Sequence, residues 1–109
     1  MSYRVELSDN FKKEAKRLAK KYRSLKNELT ELFSELESDP TKGIHLGKDI
    51  YKIRLAIAST GKGKSGGARV LTLVKVTDTI VIPFTIYNKG ERDSITDKEI
   101  QNLLDDLND

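Results

Sequence analysis

Nine residues, STGKGKSGG at positions 59–67, hold four glycines and two lysines and lead directly to Arg69. Glycine lets backbone N–H groups close on an anion. Lys62 and Lys64 add mobile positive charge, and Arg69 adds a planar fork that matches phosphate. The same loop also fits a lysine-rich solvated hairpin tip. Lys52 and Arg54 share one side of the preceding strand. Tyr87 closes a later strand, and Lys89 and Arg92 follow it. If these strands are neighbours, one end of a sheet gathers several cations and a phenol. Such a group can bind the backbone of a nucleic acid. Tyr87 could stack on a base or donate a proton; it also fits a core tyrosine with a satisfied hydroxyl. Gly63-Lys64-Ser65 looks like the end of a nucleotide-binding P-loop. That motif needs a glycine where Ala58 stands, and a helix immediately after it, where a strand is expected.

The elements that must position these residues follow from hydrophobic spacing. Residues 3–7 alternate as a short strand. Ser8 is a helix N-cap, and Phe11, Ala15, Leu18, Ala19 and Tyr22 form one helical face. Leu25, Leu29, Leu32, Phe33 and Leu36 repeat that spacing after a joint at residues 22–24, and Asp39–Pro40 ends the second helix. The two segments read as an α-hairpin with charged outer faces. Residues 41–48 read as a connection, and its lone His45 as structural or solvated rather than catalytic. From Asp49 the period changes to two, with Tyr51, Ile53, Leu55 and Ile57 facing one way and Lys52, Arg54, Ala56 and Ala58 the other. Residues 68–76 and 79–87 are two further strands, the last with a bulge or edge position at Pro83. Thr96 and Glu99 form a capping box for a C-terminal helix carrying Ile100, Leu103, Leu104 and Leu107. The expected fold is a single α+β domain over residues 1–109, in the order β-α-α-β-β-β-α. An α-hairpin covers one face of a four-stranded, mainly antiparallel sheet, and the other face stays partly open.

Composition removes several functions. With no cysteine and a single histidine, thiolate zinc sites, cysteine nucleophiles and His–His metal pairs are excluded. No apolar run is long enough to span a membrane, and the opening MSYRVELSDN lacks a signal-peptide core, so a cytoplasmic protein is expected. The net charge of +3 is unevenly spread. Residues 40–75 carry eight basic side chains and one acidic, a net of +7, whereas residues 76–109 carry a net of −5. A middle third of that charge is a footprint for a polyanion, although a solvated lysine surface has the same composition.

The run YKIRLAIASTGKGKSGGARVLTLV and the ending IYNKGERDSITDKEI resemble the RelE-like toxins of bacterial toxin–antitoxin modules, most of all the HigB/RelE-type branch. The opening YRVELSDNFKKEAKRLAKKY fits that family's β-α-α start. The resemblance runs from about Tyr3 to Leu104. It implies a cytoplasmic toxin that enters the ribosomal A site and cleaves mRNA without metal or other cofactor. A ribose 2′-OH attacks the adjacent phosphate, leaving a cyclic phosphate and a 5′-OH. By position it assigns Arg69 to the scissile phosphate, and Lys62 and Lys64 to phosphate binding or proton transfer. Tyr87 is assigned to base stacking or acid work. Arg54 belongs to the family's basic strand, and Lys52, Lys89 and Arg92 support it. The chain lacks the histidine that some relatives carry near the C-terminus. The resemblance also implies a neutralising antitoxin, expected as a helix-turn-helix protein from an adjacent gene. A gyrase inhibitor of the ParE type, sharing the fold, and a non-catalytic RNA-binding module are the alternatives.

Overall fold

The computed structural model describes residues 2–107; Met1, Asn108 and Asp109, the ends of the domain expected over 1–109, lie outside the described residues. The chain runs β1 (Arg4–Val5), α1 (Asp9–Lys21), α2 (Leu25–Ser38), β2 (Ile44–Gly47), β3 (Ile50–Leu55), β4 (Ala68–Lys75), β5 (Ile80–Asn88) and α3 (Asp97–Leu107). Ser8 caps α1 as its residue type predicts, its hydroxyl accepting from the Phe11 N–H at 3.0 Å. The apolar faces of α1 and α2 meet as an α-hairpin and bury Phe11, Leu18, Leu25, Leu29, Leu32 and Leu36 against Ile53, Val70, Val74, Val81 and Ile86 of the sheet. Burial of each such side chain contributes roughly 1.5–3 kcal/mol.

The sheet has five strands, in the order β1-β5-β4-β3-β2, with β1 parallel to β5 and the other pairs antiparallel. The fifth strand corrects the expectation of four. Residues 41–48 are not a plain connection: they contain β2, which turns into β3 through Lys48 and Asp49. Both turn residues have positive φ, 52° and 65°. That is the pattern of a type I′ hairpin, normally announced by Asn-Gly, so Lys-Asp gave no signal. His45, in β2, stacks on its cross-strand partner Tyr51 with ring centroids 4.8 Å apart. The first strand is also shorter than residues 3–7, reduced to Arg4–Val5.

The bulge at Pro83 is present. Leu71 faces Thr85 and Thr72 faces Pro83, so Phe84 is skipped. Side chains of α1 satisfy the backbone groups around it. The Phe84 carbonyl accepts from Asn10 Nδ2 at 3.0 Å and from Ser8 Oγ at 3.3 Å. The Glu14 carboxylate accepts from Thr85 Oγ1 at 2.8 Å and from the Ile86 N–H at 3.3 Å.

The second sheet face is less open than expected. Ile50, Leu71, Phe84 and Tyr87 form an apolar strip there, and Ile95, Ile100, Leu103, Leu104 and Leu107 of the α3 segment pack on it. The capping box is formed, with the Glu99 N–H on Thr96 Oγ1 at 3.1 Å and the Thr96 N–H on Glu99 Oε1 at 3.2 Å. Among the described residues no helix is long and apolar enough to cross a membrane.

Candidate functional site

Antiparallel pairing places Arg54 of β3 directly opposite Arg69 of β4, and Arg69 directly opposite Tyr87 of β5. The three residues form one cross-strand row, with Tyr87 against the α3 segment and Arg54 beside a groove that Glu28, Glu31 and Glu35 of α2 also line. Like charges facing one another across a ladder are destabilising. Among the described residues, no carboxylate pairs with Arg54, Arg69, Lys52, Lys62 or Lys64.

Arg69 departs from expectation in its burial. Expected on an open face, it is only 6% exposed, because the loop folds over it. Its Nη1 donates to the Lys64 carbonyl at 2.8 Å and to the Ala68 carbonyl at 3.2 Å. The hydrogen bonds of its side chain among the described residues therefore engage one guanidinium nitrogen, Nη1. The loop itself is built from two short 3-10 turns, Ala58–Thr60 and Lys64–Gly66. Gly67 seals it to the sheet: a Cβ there would lie 2.1 Å from the Leu55 carbonyl oxygen. Its own carbonyl accepts from the Lys89 N–H at 2.9 Å.

Tyr87 is 5% exposed. Burial pushes its phenol above the ordinary tyrosine value, and the charges of Arg69 and Arg92 pull it down only in part. At neutral pH the hydroxyl is protonated, so it can donate a proton and cannot act as a base. The Arg92 guanidinium lies over the ring, 5.6 Å from its centroid.

The other expected residues divide. Lys52 lies two positions before Arg54 on the same face and, with Tyr87, lines a cleft under α3. Lys64 joins the row through its carbonyl, whereas Lys62 stays at the exposed loop tip. Lys89 and Arg92 are not free cations. Lys89 pairs with Asp93 at 3.5 Å, and Arg92 Nη2 donates to both Glu99 carboxylate oxygens at 2.8 Å. That arginine holds the Glu99 carboxyl below its usual range.

One positioning element was not legible. Glu91, in the loop after Tyr87, is held by Arg17 at 3.1 Å and by Lys21, on the charged outer face of α1, at 2.8 Å. Lys21 depresses the Glu91 carboxyl, with Arg17 assisting, and Glu91 raises the Lys21 amine. More than 65 residues separate the partners, so no local pattern could have signalled the clamp.

Known proteins agree with this architecture. Residues 6–105 match the family described as the RelE toxin of the RelE/RelB toxin–antitoxin system. No curated protein matches the sequence. A double-mutant RelE toxin from E. coli, solved in the free state, superposes with a TM-score of 0.64 at 16% identity, covering 98% of this chain and 99% of that one. The isolated E. coli RelE toxin gives 0.60 at 17% identity, covering 95% and 98%. A toxin–antitoxin complex, RelBE2 from Mycobacterium tuberculosis, gives 0.57 at 15% identity, covering 81% and 99%. At these identities the structural likenesses speak for the fold.

Proposed function

The chain belongs to the RelE toxin family of toxin–antitoxin systems, and from that premise we propose that it is an endoribonuclease that cuts mRNA on the ribosome. The observation that carries this reading is the Arg54–Arg69–Tyr87 row. In the proposed reaction a ribose 2′-OH attacks the adjacent phosphorus and the P–O5′ bond breaks. The products are a 2′,3′-cyclic phosphate and a 5′-OH. Arg54 and Arg69 grip the phosphate and stabilise the charge that builds on it. Tyr87, kept neutral by burial, gives its proton to the leaving 5′-oxygen. Lys62 and Lys64 draw in the backbone, and the amine of one of them takes up the 2′-OH proton as the O2′–P bond forms. The ribosome supplies the orientation that this small set of groups does not. The work is cytoplasmic, where ribosomes are. A dedicated antitoxin restrains it, as the M. tuberculosis relative is held in its complex.

The test is purified protein added to ribosomes programmed with a defined message. Cuts confined to ribosome-bound message, leaving cyclic phosphate and 5′-OH ends, support the reading. Intact messages together with inhibited gyrase supercoiling would replace it with the ParE-type alternative.

A further inference from the structure

The solvent side of α1 carries Lys12, Lys13, Lys16 and Lys20, all exposed. At 3.6 residues per turn they fall within an arc of roughly 100° around the helix, opposite the buried Phe11 and Leu18. Arg17 and Lys21 border the stripe and are tied to Glu91. No ion pair among the described residues engages the four lysines. Local stability does not account for them. Lys12, Lys16 and Lys20 stand at successive i,i+4 positions, where like charges repel. Lys12 also closes the first turn, where the helix dipole disfavours a cation. The acidic neighbour helix does not neutralise the stripe: Glu28, Glu31 and Glu35 of α2 line a groove with Lys42 and Arg54 instead.

Two features argue for a nucleic-acid backbone on this face rather than a protein. The first is the absence of an anchor. The large exposed apolar side chains among the described residues, Ile44, Leu46 and Val76, all lie on the sheet strands and the turn after β4. Protein interfaces are depleted in lysine and are anchored by aromatic and arginine side chains. Lysines without a pocket are the format of sequence-independent contacts to phosphates. The second is position. α1 packs on one face of the sheet, whereas Tyr87 of the phosphate row packs against the α3 segment on the other. The lysines therefore point away from a message held on the row, and the strand they meet is a different one. For a protein that works on the ribosome, that strand is ribosomal RNA.

We propose that the lysine face of α1 is a docking surface for the phosphate backbone of ribosomal RNA, which holds the chain on the ribosome while the other side of the sheet meets the message. The choice of RNA rests on the nuclease reading; the surface itself concerns binding and not the chemical step.

The experiment measures the affinity of the purified protein for ribosomes over a range of salt concentrations, alongside its cleavage of ribosome-bound message. Glutamine matches lysine closely in helix propensity, so each lysine is changed to glutamine. Lys16→Gln should lower the slope of log affinity against log salt by about one. The variant combining Lys12→Gln, Lys13→Gln, Lys16→Gln and Lys20→Gln should lower it by about three and weaken binding by about tenfold or more. Lys98→Gln removes the same charge from the exposed side of α3 and should leave the slope as it is. A fourfold variant that binds as wild type does, or a Lys98→Gln protein that loses as much slope as Lys16→Gln, would overturn the surface while the nuclease reading stands. A fourfold variant with intact ribosome affinity and a weakened complex with the neighbouring gene's product would give the face to a protein partner and overturn the proposal. Wild-type protein that binds ribosomes through these lysines yet cuts no message would uphold the surface and bring down the nuclease reading. Wild-type protein that does not bind ribosomes would bring down both.

Discussion

The two faces of the sheet are built from the same strands and do opposite work. The α-hairpin face is filled with apolar side chains, aliphatic and aromatic, and its helices close it against water. The α3 face is apolar only over Ile50, Leu71, Phe84 and Tyr87. It also carries Arg54 and the buried Arg69, two cations set opposite each other and without an ion pair among the described residues. Stability alone would not select that arrangement, because burying an unpaired charge opposes folding. One face holds the fold, and the other spends part of that stability on the phosphate site proposed above.

Truncation on each face separates the two roles, and the largest effects come first. Leu32→Ala, on the hairpin face, should lower stability by about 2–5 kcal/mol in denaturant titration while leaving the cleavage rate per folded molecule unchanged. Arg69→Ala should do the reverse. Its rate should fall about 10²–10³-fold, the scale for one preorganised electrostatic contact. Its unfolding midpoint should change little, since the lost bonds to the Lys64 and Ala68 carbonyls offset the relief of its repulsion with Arg54. Arg69→Lys should recover only part of the rate, because a point charge does not replace a planar fork.

Glu14→Ala breaks the links that α1 makes to the bulged strand and leaves Thr85 Oγ1 and the Ile86 N–H short of an acceptor. A loss of about 1–3 kcal/mol should appear in thermal unfolding.

The pH profile sharpens the role of Tyr87. Its pKa is raised in the folded protein, so the neutral phenol persists above the ordinary value of 10.0. Stability contributed by that shift is complete below pH 10 and is lost as pH climbs through the raised value. Proton donation should fail over the same alkaline range. Tyr87→Phe should abolish that limb of the rate profile while ribosome binding persists; an unchanged rate would leave only stacking for the ring.

The smallest effect concerns the turn that carries β2. Lys48→Gly removes a side chain from a residue held at φ 52° and should stabilise the protein by about 1 kcal/mol, read as a shift in unfolding midpoint.

Legibility followed locality. Ser8 and Thr96 were readable as caps because a cap is a matter of neighbouring residues. The alternation in Lys52 to Ile57 revealed which side of β3 bears cations. The bulge at Pro83 followed from its missing N–H. β2 was missed because Lys48–Asp49 is an unusual choice for two positive-φ positions. Where α3 docks was not readable, since its stripe would fit either sheet face. Arg69 therefore looked open when it is buried. The Glu91 clamp, joining residues far apart in the chain, left no local trace.

In the proposed reaction Arg54 and Arg69 hold one and the same phosphate. This is tested most directly by a double-mutant cycle on single-turnover cleavage of ribosome-bound message, with Arg54→Ala, Arg69→Ala and the double variant. Each single variant should lose about 10²-fold in rate. If they share a phosphate, the double variant should lose clearly less than the product of the two, because groups acting on one atom are coupled. Folded, ribosome-binding Arg69→Ala protein that cuts at the wild-type rate would contradict the account.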